Sequence, residues 1–279
     1  MNKLLSANFR RMKRDVDLWI VSAAVFVICA LEAIDAARQN EMLESAVAKE
    51  TLNGILFEFI PFLSVVLAIF IALFIGKEYG FGTIRNKLSV GHTRINIYFS
   101  NFISALAGSL IIYLLMLGGV LATGIPILGG WQGDAKKLLF SVLIGAFSVM
   151  AMVAVFTMFS MLSSNRAVTA VSAMVFGLAL VIFASTIYNG LAAPEMASNM
   201  ELTAAGVVQA AEPQPNPFYI GGVQRKVYEF LLQFLPTGQG ILLANEEITH
   251  PVLNLIYSAV LTVTINICGI FAFKKKEIK

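Results

Sequence analysis

The side chains able to do chemistry are few and scattered. Cys29 and Cys268 stand in separate apolar runs with no second Cys or His at ligand spacing, and His92 and His250 each stand alone. That excludes a zinc site and argues against a disulfide framework. The phosphate-cradling pattern GxxxxGK(S/T) is missing, as are HExxH, GxSxG and GxGxxG. No nucleophile, base or metal constellation remains from which to build an intramembrane enzyme. Any energy source or catalysis must come from elsewhere or be absent.

The other polar groups of interest lie inside apolar stretches. Glu32 and Glu58 sit near the ends of two such stretches, where each can reach the interface by snorkelling, or take part in a polar pathway. Asn254 and Asn266, with Thr262 and Thr264, are of the kind that hydrogen-bond between helices, and the two asparagines are further pathway candidates. Met150, Met152, Met158 and Met161 read as adaptable packing rather than a metal path. Gly118, Gly119 and Gly145 permit close helix contacts.

The elements that hold these residues follow from composition. Of 279 residues 58% are hydrophobic and 13% charged, and the mean hydropathy is +0.79. A soluble domain carries about 25% charged residues, so the chain is expected to be an all-α membrane protein. Six stretches can cross about 30 Å of hydrocarbon, which takes roughly 20 helical residues: Val16–Ile34, Ile55–Gly76, Ile97–Thr123, Leu138–Leu162, Ala167–Ile187 and Val252–Phe273. They are apolar on every face, unlike the alternating strands of a membrane barrel.

Basic residues set the orientation. One side takes Lys3, Arg10, Arg11, Lys13 and Arg14, then Lys77, Arg85, Lys87 and Arg94, then Arg166, and finally Lys274, Lys275, Lys276 and Lys279. The other side holds Arg38, Lys49, Lys136, Lys137, Arg225 and Lys226 with most of the acids, among them Glu41, Glu44, Glu212, Glu246 and Glu247. Both termini are therefore expected in the cytoplasm.

Residues 1–15 read as an amphipathic interfacial helix, with Leu4, Leu5, Phe9 and Met12 near one face and Lys3, Arg10, Lys13 and Arg14 around the other. Residues 16–279 read as one six-span domain. Its outer segment 188–250 opens with a proline-rich loop over Ala192–Pro217 and continues into an apolar helix, Val227–Leu235, stopped by Pro236-Thr237-Gly238. That helix is too short to span; it is re-entrant, or it lies on the surface against the other spans.

The most informative stretch is GKEYGFGTIRNKLSVGHTRINIYFSN, residues 76–101, between the second and third spans. Thr83 is placed to cap a short helix on which Ile84 and Leu88 point one way, while Arg85, Asn86 and Lys87 present polar groups to water or a partner. Gly91 breaks this helix and Arg94 opens the next. Physics alone allows either a docking helix or a plain basic turn.

The run Glu78-Tyr-Gly-Phe-Gly82-Thr83-Ile84-Arg85-Asn86-Lys87-Leu88, followed by Gly91-His-Thr-Arg94 and a new span, resembles the membrane subunit of ABC-2 type transporters. The basic amphipathic "elbow" helix, the six spans and Phe234-Leu-Pro236-Thr-Gly-Gln239 before the last span are similar too. Many members of that family have proline where this chain has Gly91. The resemblance implies that residues 77–96 form a coupling helix seated in a groove of a separate ATP-binding subunit, present in two copies and binding ATP and Mg. It also implies a second permease subunit, identical or a sister, in the plasma membrane of a bacterium, with no nucleic-acid partner and no cofactor in this chain. A secondary transporter should show several mid-membrane acids or broken helices, of which this sequence shows almost none. A membrane scaffold or sensor would lack the rigid basic loop.

Overall fold

A computed structural model of the chain describes residues 1–42, 49–197, 200–202, 208–210 and 214–277. Glu44, Glu212 and Lys279 lie outside the described residues. All six expected spans are helices long and apolar enough to cross a bilayer. The first helix, α1 (Asn2–Lys13), packs on the third span and is followed at once by the first span, α2 (Val16–Met42). The second span is split into a turn of helix, α3 (Leu52–Ile55), and α4 (Ile60–Gly80), which begins with Pro61 in its first turn. Proline is tolerated there because its missing N–H has no helical acceptor.

The short α5 (Thr83–Ser89) leads into α6 (Arg94–Leu128), α7 (Ala135–Leu162) and α8 (Arg166–Ala192). Asn165 opens α8 by accepting from the amides of Ala167 and Val168 at 3.0 and 3.2 Å, so the turn from α7 needs few residues. Beyond α8 lie two antiparallel ribbons. In one, β1 (Met196–Ala197) pairs β4 (Gln214–Pro215); in the other, β2 (Met200–Leu202) pairs β3 (Val208–Ala210). Then come α9 (Gly222–Phe234), α10 (Pro236–Ala244) and the last span, α11 (Pro251–Lys275).

α4 is the most enclosed span, packed against α7, α8 and α10, while α2 pairs with α6 and α11 with α7. Close approach is built in: a Cβ on Gly119 would overlap the carbonyl of Phe26, and one on Gly145 would overlap the hydroxyl of Tyr113. Glycine lets the backbones of α2 and α6 meet at the first position and makes room for the Tyr113 ring at the second.

The segment before the last span departs from expectation. Pro236-Thr237-Gly238 does stop one helix, but it also starts another, because Pro236 takes the first-turn position of α10. α10 is the part inserted among the spans, with residues Pro236 to Leu243 all buried; α9 buries only Leu232. Gln239, fully buried, holds the junction. Its Oε1 accepts from Ser148 Oγ and Ser258 Oγ at 2.8 and 2.9 Å, and its Nε2 donates to the carbonyls of Gln233 and Asn254 at 2.8 and 3.0 Å. A fully satisfied amide is what a dry interior permits.

Candidate functional site

α4 ends at Gly80, and the chain turns through Phe81 and Gly82 into α5. Gly82 has φ +65°, the left-handed region that glycine adopts without Cβ strain. It is also the N-cap of α5, correcting the expectation for Thr83: the Thr83 hydroxyl instead donates back to the carbonyl of Glu78 at 3.0 Å. At the other end Gly91, φ +90°, closes α5, its amide donating to Leu88 O at 2.9 Å and that of His92 to Lys87 O at 3.1 Å. Thr93 then caps α6, accepting from Asn96 N at 3.3 Å. Two glycine turns thus fix both ends of a helix of seven residues.

Which face of α5 is free differs from the sequence reading. Ile84 is 1% exposed and belongs to the main core, with Leu88 packed partly against it. The i, i+4 apolar pair therefore faces the bundle of this chain, because the adjoining α4 and α6 offer it a dry surface at once. Lys87 also turns inward, its side chain 15% exposed. The outward face is made of Arg85, Asn86 and Ser89, with Phe81 and Val90, each 78% exposed, at its two ends.

Behind α5 lies a charge cluster that the sequence did not announce. Glu78 is 1% exposed and accepts from Arg11 Nη1 at 2.6 Å, from Asn101 Nδ2 at 2.8 Å and from Lys87 Nζ. Lys87 also donates to Asn8 Oδ1 at 3.0 Å, and Asn8 Nδ2 donates to Ser100 Oγ and Asn101 Oδ1 at 3.1 and 2.9 Å. Arg11 stacks over the Phe74 ring at 4.1 Å. Burial pulls the Lys87 ammonium and the Arg11 guanidinium below their ordinary pKa, and Glu78 opposes both shifts. One carboxylate thereby joins α1, α4, α5 and α6. The neighbouring Lys77 holds the entry to α2, with Nζ 2.7 Å from Asp15 Oδ1 and 2.8 Å from Asp17 Oδ2. Arg94 clasps the far end of the chain, donating to Phe273 O at 2.8 Å and to Lys276 O.

A family described as ABC-2 family transporter protein matches residues 3–278. The chain belongs to that family. It is accordingly a permease component of an ABC transporter, a non-catalytic, multi-pass membrane subunit, and permeases of this kind generally work with ATP-binding subunits. Comparison with curated proteins gives no match.

The pathway candidates of this ABC-2 permease do not converge. Glu32 lines a groove with Glu58 on the outside of α2 and the start of α4. Asn254 and Asn266 are buried on α11, where Asn266 Nδ2 donates to Thr262 O at 2.8 Å, and neither lines that groove. Asn8, Arg11 and Asn101 escaped the sequence reading. A signal for Asn8 was present: Leu4, Asn8 and Met12 recur every fourth residue and form the buried stripe of α1. A polar residue in that stripe calls for a partner.

Proposed function

We propose that this chain is the permease subunit of an ATP-driven exporter of an amphipathic cargo, coupled to a separate ATPase through residues 77–96. The observation that supports it best is the outward face of α5. Two large apolar side chains, Phe81 and Val90, stand 78% exposed in a loop between spans, flanking Arg85 and Asn86. Such a patch on a rigid support suits burial by a partner. The glycine turns and the Glu78 cluster brace it, so a push on that face moves the ends of α1, α4 and α6 as a unit.

In this reading ATP and Mg are bound and turned over in the partner. Two permeases, identical or sister chains, and two ATPases complete the machine, with both permease termini in the cytoplasm. The test is co-purification in mild detergent followed by assay. An ATP-binding cassette protein should be recovered, and its hydrolysis rate should change on assembly, while the permease alone hydrolyses nothing. Recovery of no such partner, or nucleotide binding by the isolated chain, would overturn the assignment and favour a membrane scaffold.

A further inference from the structure

On the opposite half of the bundle, a groove of about 700 Å3 runs between α2 and the start of α4. Its walls are apolar and aromatic: Ile28 and Leu31 on one side, Phe59 and Phe62 on the other. The two rings sit 6.3 Å apart, inclined by 38°. Into this space come two carboxylates. Glu32 lies sixteen residues into α2, about 24 Å from its start at 1.5 Å per residue, and Glu58 comes from the turn before α4.

Neither acid is paired. Among the described residues, no salt bridge and no side-chain hydrogen bond reaches Glu32 or Glu58. Arg38, which lines the groove along with Asp35, makes no ion pair with either. Glu32 Oε2 is buried without a donor, while the residue as a whole is only half-buried and lines the groove, so the carboxylate meets the groove through its other oxygen. The bundle has an answer to buried acids where it needs one, as at Glu78 with two cations and an amide. At Glu32 that answer is left open.

We infer that this groove binds an organic cation carried on an apolar body, with the charge seated by Glu32 and Glu58 and the body against Phe59 and Phe62. A cation in the groove gives the two unpaired carboxylates the opposite charge that the chain does not supply, and aromatic faces attract cations through their quadrupoles. The groove is open on one side and has room for a drug-sized body to lie in it. The inference rests on the reading of the chain as a permease for an amphipathic cargo and adds the sign of that cargo's charge. A free amphiphile and the ammonium headgroup of a lipid share this chemistry.

The experiment uses the full chain in nanodiscs of phosphatidylglycerol, whose headgroup carries no ammonium, without ATPase or nucleotide, and measures binding of tetraphenylphosphonium, with the anion tetraphenylborate as a probe of equal size and opposite charge. Saturable binding above that of empty discs is expected for the cation only. Glu32→Gln and Glu58→Gln should each weaken it at least tenfold, and Phe62→Ala severalfold, with the thermal stability of all three unchanged. Competition by added phosphatidylethanolamine would identify a lipid ammonium as occupant; its absence would leave the free amphiphile. Equal binding of both ions, or full cation binding by the doubly substituted Glu32→Gln, Glu58→Gln chain, would overturn the proposal. Because no ATPase is present, failure here leaves the coupling reading intact, and failure to recover an ATPase leaves this result intact.

Discussion

Arg11 Nη1 of the first helix lies 2.6 Å from Glu78 Oε1 at the end of the second span, and the same oxygen meets Lys87 of the short helix between spans two and three. Two cations from separate elements share one buried carboxylate. The short helix α5 and the first helix α1 are thus both tied to the end of α4 by a single side chain.

That sharing makes the cluster non-additive. Arg11→Met or Lys87→Met leaves Glu78 with one cation and with Asn101, and each should lower stability by about 1–2 kcal/mol. The double variant strands a buried carboxylate, for which breaking the last ion pair costs about 3–5 kcal/mol. Thermal unfolding in detergent should show the double loss exceeding the sum of the single losses; simple additivity would mean that the two cations act independently.

The two faces of α5 should respond in opposite ways. Ile84→Asp places an unpaired carboxylate in the core and should reduce the folded yield itself. Phe81→Asp and Val90→Asp sit in water, so their stability should change by less than about 0.5 kcal/mol, while capture of the ATPase should fall by more than tenfold, the mark of a lost anchor. Pull-down at matched membrane levels separates the two classes. Retention of the ATPase by both exposed variants would remove this face from the interface.

Orientation can be read by thiol labelling. After replacing Cys29 and Cys268, single cysteines at Ser6, Asn86 or Glu277 should resist an impermeant reagent in intact cells. One at Lys226, on exposed α9, should react. Reaction at Asn86 from outside would reverse the topology and remove α5 from the reach of ATP.

Gln239→Leu should destabilise the junction of α7, α9, α10 and α11, because two serine hydroxyls and two carbonyls lose their partner. Each orphaned group costs about 1–3 kcal/mol in a dry core, less where a membrane protein finds substitutes, about 0.6 kcal/mol on average. A fall in melting temperature of several degrees is expected, with α10 becoming accessible to proteases. An unchanged melting temperature would make the network dispensable.

A pH effect is expected at Lys276. Its ammonium lies 4.0 Å from the centre of the Tyr79 ring and donates to Met161 O at 3.2 Å, and burial lowers its pKa to about 8. The unfolded chain holds that proton up to about 10.4. Between those values the unfolded state binds more protons, so stability rises with pH. Lys276→Met should be more stable than the wild type at pH 7, and the gap should shrink as pH climbs through 8 toward 10. A gap independent of pH would assign the effect to packing.

The sequence by itself determined the class of the fold, because six apolar runs without alternation admit only helices in a membrane, and their lengths are set by bilayer thickness. It also located the loop of residues 76–101, since glycines at 82 and 91 mark turns whatever surrounds them. The direction in which α5 faces was decided only by the tertiary structure. An i, i+4 apolar pair such as Ile84 and Leu88 says that one side of a helix seeks a dry surface, and does not say whether this chain or another supplies it. Glu78, likewise, read as a polar member of a loop until folding brought α1 and α6 against it, and no local pattern links residues 8, 11, 78, 87 and 101. Pro236 read as a stop and proved also to be a start, because a residue that cannot continue one helix is suited to the first turn of the next, and only the cavity filled by α10 decides between the two.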